Sequence, residues 1–231
     1  MICAAFDCSC GAALAVRQGQ DIILSERRPL AGRTSDQELA PWVLGALASA
    51  GVEPGDVQRW VVGTGPGSFT GIRVGIAFVH GLCLSSGAAC WGVPSSVALA
   101  AEAAAGRGTG TIGVLHDARR EQLILSEYVL DDGVPCPVGE PAVRDAEDAL
   151  RHCSELGALI TVHGQAMASV LPSLAGNMMV CDSVDASFFL SDTICPWPGP
   201  DVALDTTWEP IYVRPAVFVK PRMFRQVGGD R

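Results

Sequence analysis

The chain has 231 residues, 48% of them apolar, and a formal net charge of −9. That length allows one large or two small domains with real cores, and the apolar share excludes a disordered chain. The acidic balance, with Lys220 the one lysine among sixteen basic residues, argues against extensive direct contact with a nucleic-acid backbone.

Residues 2–7 and 12–17 read as short apolar strands joined by Asp7-Cys8-Ser9-Cys10-Gly11, with a third strand at 22–26 after the turn 18–21. The first stretch has no basic residue and meets an acid at once, so it is expected to be a strand and not a signal peptide. A polar loop at 32–36 follows. Ser35 or Asp36 is expected to cap a helix from Gln37 to Ala50, where Leu39, Val43, Ala46 and Leu47 recur at helical spacing and Gly51 stops it. Trp42 falls at the edge of that stripe or at a partner interface. Strand 59–63 leads into a glycine-rich loop, a helix to Ser86, a strand at 88–93, and an alanine-rich helix, Ser96–Ala105, capped by Ser95.

The run 106–110 is the expected boundary between an N-terminal lobe, 1–106, and a C-terminal lobe, 107–231. The second lobe opens with strands at 111–116 and 122–130, turned by Asp117-Ala118-Arg119-Arg120. A Gly/Pro-rich connection, 133–141, is followed by a helix at 145–154, a strand at 158–163 and a helix at 165–171. A strand at 178–181 and a helix at 186–192 close the pattern. The proline- and tryptophan-rich segment 195–210 is expected to wrap the surface, and Ile211-Tyr212-Val213-Arg214 to dock as an extended segment. Arg214, Lys220, Arg222, Arg225 and Arg231 make a basic tail, read as solvated or as a contact for an acidic partner or RNA. Strands alternating with helices in two similar halves indicate an α/β fold of mixed sheets flanked by helices.

The loop Gly63, Gly65, Pro66, Gly67, Ser68, Thr70 and Gly71 is the feature with most potential chemistry, since a helix start beside glycines can bind phosphate. A P-loop requires a lysine after its second glycine, and Lys220 is far away. The dinucleotide fingerprint fails too, because Ser68 or Thr70 stands where its third glycine belongs. No Gly-x-Ser-x-Gly elbow is present, and His80, His116, His152 and His163 form no i,i+4 zinc pair. His163, before Gly164, is placed at a strand end. Asp7 ends the first strand, where it either caps a turn or orients a nucleotide together with Ser9. Cys8 and Cys10, poor hydrogen-bond donors, occupy the positions beside it. The nine cysteines, scattered and odd in number, read as free thiols of a reducing cytoplasm. No uninterrupted apolar run approaches the ~18 residues of a membrane span.

The run Gly63-x-Gly65-Pro66-Gly67-Ser68-Phe69-Thr70-Gly71-Ile72-Arg73-x-Gly75 resembles the signature of the bacterial TsaB (YeaZ) proteins, non-catalytic paralogs of TsaD. Ala5-Phe6-Asp7-Cys8-Ser9, Trp91-Gly92-Val93-Pro94-Ser95-Ser96, Asp117-Ala118-Arg119 and Pro210-Ile211-Tyr212-Val213-Arg214 resemble further segments of that family in the same order. The resemblance implies an ASKHA (actin/hexokinase/Hsp70-like) fold of two related lobes, the second reduced. It implies a cytoplasmic scaffold or activator that binds TsaD, with TsaE, in N6-threonylcarbamoylation of adenosine 37 of tRNA. It further implies a homodimer in the absence of TsaD, and contact with tRNA only through the complex. No catalytic residue, cofactor, metal or membrane is implied. The chain departs from the family pattern at Cys8 and Cys10 and at Arg33-Thr34-Ser35, where a histidine usually precedes the serine.

On the helix after the loop, Arg73, Ala77 and His80 share a face, and Gly75 is small enough for a close neighbour. With Glu38 and Trp42 these residues form the expected partner interface. Two alternatives stand beside the scaffold: an independent ASKHA-type ATP-binding enzyme using Asp7, and a glycoprotease-like peptidase.

Overall fold

The computed structural model describes residues 1–28, 35–196, 209–211 and 213, with 35–37 described as backbone only. Loop residues 32–34, the capping side chains of Ser35 and Asp36, segment 197–208, Tyr212 and the basic tail from Arg214 to Arg231 lie outside the described residues.

Strands β1 (Ile2–Asp7), β2 (Ala12–Gln18) and β3 (Asp21–Arg28) form an antiparallel meander. After helix α1 (Ser35–Ser49), strand β4 (Arg59–Gly63) returns parallel to β1. Helix α2 (Phe69–Ser86) then carries the chain to β5 (Ala89–Val93), parallel to β4, and α3 (Ser95–Ala104) follows. The sheet order is β3-β2-β1-β4-β5. The second sheet repeats this plan. Strands β6 (Gly110–Asp117), β7 (Gln122–Asp131) and β8 (Val134–Pro137) form its meander, and β9 (Ala142–Asp145) also pairs with β7. Helix α4 (Ala146–Ser154), strand β10 (Ala158–Thr161), helix α5 (Gly164–Val170) and strand β11 (Met178–Val180) complete it, with order β11-β10-β6-β7-β8. Each sheet therefore has its first strand in the centre, a hairpin on one side and two parallel strands on the other, so the two halves are related α/β lobes.

Strand alternation sets the layers. Cys3 and Ala5 of β1 face a central core with Ala13 and Ala15 of β2, whereas Ala4 and Phe6 face an outer core with Leu14 and Val16. Helix α3 crosses the central core and is buried all round except at Glu102, as expected of a helix covered on every side. Its alanines meet the alanines of the sheet, so the layers approach closely. The 3-10 turn Ala186–Leu190 adds Phe189 and Leu190 to the same core. Two further ties join this turn and its flank to the first sheet. Arg17 donates twice to Asp192 at 2.8 Å, and Arg27 donates to Asp185 at 2.6 Å.

Two expectations are corrected. The 133–141 connection contains β8 and is followed by β9, because Val134 and Cys136 alternate against the β7 ladder despite the flanking prolines. The helix expected at 186–192 is a 3-10 turn of five residues, Ala186–Leu190. Helix α2, 18 residues with mean hydropathy 1.3, is by length and composition long enough to cross a membrane. It packs on the first sheet through Gly71, Ile72, Gly75, Val79 and Cys83, and the rest of the helix is partly or fully exposed.

Candidate functional site

A cleft of about 670 Å³ separates the lobes. The β1–β2 turn (Cys8, Ser9, Cys10) and the start of α2 (Pro66 to Thr70) line one side; Asp117, Arg119, Ile124 and His163 line the other. All lie at strand ends or helix starts, where an open α/β sheet exposes side chains to a crevice.

Asp7, at the end of β1, lies behind this surface and is 1% exposed. The backbone N–H and the hydroxyl of Ser9 both donate to its Oδ1, at 2.8 and 2.7 Å. The Ser95 hydroxyl donates to Oδ2 at 2.5 Å and itself accepts the Gly65 N–H at 3.0 Å. Burial raises the Asp7 carboxyl above its ordinary value, against the lowering effect of the bonds from Ser95 and Ser9. Both oxygens are thus occupied by the chain itself. The expected role of Ser95 as a cap of α3 is corrected: Pro94 is the capping position, and the Ser95 side chain is spent on Asp7.

The glycine loop wraps this acid. A Cβ on Gly63 would stand 1.8 Å from Asp7 Oδ2, and one on Gly71 would stand 2.1 Å from the Cys8 carbonyl oxygen. Glycine is required at both because backbone meets backbone or a buried carboxylate there. Gly65 and Pro66, joined by a cis bond, and Gly67 carry the chain past Ser9. Several N–H groups that a phosphate would need are committed within the chain. Thr64 donates to the Val93 carbonyl, Gly65 to Ser95, and Ser68 to the Ser9 carbonyl. Ser68 also caps α2 by accepting the Gly71 N–H at 3.2 Å, while Thr70 is exposed on the cleft.

The second lobe presents its own strand-end acid. Asp117 ends β6 and accepts the Arg119 N–H at 2.8 Å, the same i to i+2 bond that Asp7 makes with Ser9. The turn continues through Arg119, Arg120 and Glu121 at φ 66°, 55° and 59°. Left-handed backbone costs a non-glycine residue roughly 1–2 kcal/mol, so this turn is strained at the cleft mouth. Beneath it the structure brings together residues that sequence spacing leaves far apart. Cys10 Sγ is 3.9 Å from His163 Nε2, and the rings of His163 and His116 meet edge-on at 6.1 Å. The signal for His163 was its strand-end position; nothing in periodicity pointed to His116 or joined either ring to Cys10.

The expected partner residues divide. Arg73, Ala77 and His80 are exposed on α2, and Glu38 is exposed on α1 in an ion pair with Arg28. The Arg73 guanidinium lies 3.7 Å over the Phe69 ring. Trp42 takes the stripe-edge position, half-buried near Phe6, with its indole N–H donated to Glu26 at 3.1 Å. Gly75 is corrected: it faces inward, where a Cβ would stand 3.2 Å from Cys8 Cβ, and so packs the helix on the sheet. Leu84, 75% exposed, and Leu44, 44% exposed, are apolar residues of α2 and α1 that the sequence reading missed. Glu209 and Pro210 line a second hollow of about 610 Å³ with Arg73, Ile76, Ala77 and His80. Ile211 donates its N–H to the Thr64 carbonyl at 2.8 Å.

Known proteins resemble this chain in sequence and in fold. The family model described as TsaD, tRNA N6-adenosine threonylcarbamoyltransferase, matches residues 29–171. An uncharacterised protein of Mycobacterium tuberculosis is 37% identical over 133 residues, which are 58% of this chain and 59% of its own. The Escherichia coli protein named tRNA threonylcarbamoyladenosine biosynthesis protein TsaB is 32% identical over 103 residues, 45% of each chain. The matched part therefore spans about six-tenths of the mycobacterial relative and under half of the E. coli protein. Among solved structures, YeaZ from Pseudomonas aeruginosa aligns over 91% of this chain and 99% of its own, with TM-score 0.70 and 23% identity. At that identity the likeness establishes a shared fold.

Proposed function

Starting from a chain that belongs to the TsaD family, with TsaB (YeaZ) proteins among its relatives, we propose that it is a scaffold and activator subunit in the making of N6-threonylcarbamoyladenosine in tRNA. It acts in the cytoplasm by binding a TsaD paralog, with TsaE joining them, and it leaves the transfer chemistry to TsaD. Contact with tRNA comes only through that complex, and without TsaD the same face pairs two copies of this chain. The lobes divide near residue 106, and the first lobe carries the partner face.

The observation that supports this reading most directly is the state of Asp7. An acid that orients a metal-bound nucleotide needs a free oxygen toward the ligand. Here both oxygens accept bonds from Ser9 and Ser95, and the residue is buried. The loop that would cradle phosphate is tied to Ser9 and Ser95 as well. What the first lobe offers outward is α2: Arg73, Ala77, His80 and Leu84, with Glu38 and Leu44 of α1. A helix face of small, apolar and charged residues suits a helical partner surface.

Reconstitution tests the proposal. TsaD and TsaE are supplied with a threonylcarbamoyl donor and tRNA, with and without this chain. The expected result is modified tRNA only when the chain is present. Equal transfer in its absence, or stoichiometric binding of ATP and Mg²⁺ by the isolated chain, would overturn the reading.

A further inference from the structure

Two hollows of the molecule share one short piece of chain. Glu209 and Pro210 line the hollow on the outer side of α2, with Arg73, Ile76, Ala77 and His80. Ile211 and Val213, next along, line the cleft between the lobes. Helix α2 serves both hollows as well, since Phe69, Thr70 and Ile72 of its first turn lie on the cleft. Where the chain passes from one hollow to the other, the Ile211 N–H donates to the Thr64 carbonyl at 2.8 Å. Thr64 directly follows β4, is 6% exposed and donates its own N–H to the Val93 carbonyl at 2.8 Å. The anchor is therefore part of the first sheet. Pro210 has a fixed φ and holds Glu209 away from helical backbone, so a push at Pro210 is passed on to Ile211.

We propose that residues 209–211 and 213 are a strap through which the partner face controls access to the cleft. This rests on the reading of α2 as that face. A helix docked over Arg73, Ala77 and His80 also bears on Pro210, because all four line one hollow. It presses the strap onto Thr64 and so holds Ile211 and Val213 in place as a wall of the cleft. With the partner gone, the strap keeps its main-chain bond to Thr64, and it swings about that bond to open the cleft. The loss of one such bond changes a local opening equilibrium about fivefold. Linkage makes the effect reciprocal: a partner that closes the cleft binds less tightly when the strap is released.

Cys10 lines the cleft and is half-buried, so its rate of alkylation by iodoacetamide reports the opening. Cys136, half-buried on β8 and outside both hollows, is the internal reference. Both rates are followed site by site by mass spectrometry on the full chain. Ile211→Pro, which deletes the N–H, is expected to speed Cys10 labelling at least about fivefold relative to Cys136. Ala77→Trp, which fills the outer hollow beneath Pro210, is expected to do the same. Ser85→Trp, exposed on α2 outside that hollow, is expected to label like the wild type. Saturating TsaD is expected to slow Cys10 labelling of the wild type, and Ile211→Pro to bind TsaD at least about fivefold more weakly.

Melting curves establish that each variant folds, and Ala77→Trp decides the matter should Ile211→Pro not fold. Unchanged labelling of the folded variants would overturn the strap. Slower labelling of the wild type under TsaD, with equal TsaD affinity for Ile211→Pro, would mean that TsaD merely covers the cleft, and would overturn the link. Failure of TsaD to bind the wild type would instead overturn the scaffold reading. Ala77→Trp, which needs no partner, would then still decide whether the outer hollow controls the cleft.

Discussion

The two lobes end their central strands in the same way and then diverge. Asp7 closes β1 and Asp117 closes β6, and each accepts the N–H two residues on. Around Asp7 the first lobe closes completely, with Ser95 on the other oxygen and the Gly63–Gly71 loop laid over it. Around Asp117 the second lobe stays open, with a strained left-handed turn, an exposed Arg119 and two imidazoles. The helix between the two parallel strands differs too: α2 has 18 residues and an exposed face, whereas α5 has seven. One plan, repeated, has thus produced a sealed half that offers a helix outward and an open half that offers side chains inward.

The sharpest way to break this contrast is to unseal the first lobe. Gly63→Ala and Gly71→Ala push a Cβ to 1.8 Å from Asp7 and 2.1 Å from the Cys8 carbonyl. Each is expected to destabilise the fold by about 3–5 kcal/mol. Gly108→Ala, at a position with nothing within 4 Å, is expected to leave the melting temperature nearly unchanged. A similar loss for Gly108→Ala would show that the first lobe has no special packing.

Acid pH probes the open half. An unfolded His116 takes up a proton near 6.5, the folded one only near 3. Between those values the unfolded state binds more protons, so stability is complete above the window and is lost as pH falls through it. Denaturant melts are expected to show a loss of about 2–3 kcal/mol between pH 6.5 and 4, with His163 adding in the same direction. His116→Phe is expected to flatten that slope.

Smaller effects follow at the seal and at the tie between halves. Ser95→Ala leaves Asp7 Oδ2 and the Gly65 N–H without their partner, an expected cost of about 2 kcal/mol in a chemical melt. Arg17→Ala removes the paired bonds to Asp192, which is 60% exposed. Its expected cost is at most about 1 kcal/mol and shrinks at high salt.

Much of the first lobe was legible because its signals are local. Alternating small apolar residues in 2–7 and 12–17, the Gly63–Gly71 bend and the alanine run after Ser95 each declare an element through their own neighbours. The site was less legible because its contacts cross large sequence distances. Ser95 looks like any helix cap until β5 brings it to Asp7, 88 residues away. Gly75 and Ala77 are both small residues on one helix, and only the sheet decides that Gly75 faces inward and Ala77 outward. The strands inside 133–145 were hidden by prolines that sit on the short β8, which pairs with β7 alone.

The proposed scaffold role puts the working surface on the outer face of α2 and not on the sealed acid. Binding of purified TsaD to two variants, measured beside threonylcarbamoyl transfer, tests it most directly. Ala77→Arg, on the exposed face, is expected to remain folded yet lose TsaD binding and activation by at least about tenfold. Ser95→Ala, at the acid, is expected to melt earlier but to activate normally once the folded fraction is matched. The opposite pattern, with Ala77→Arg fully active and Ser95→Ala inactive though folded, would contradict the account.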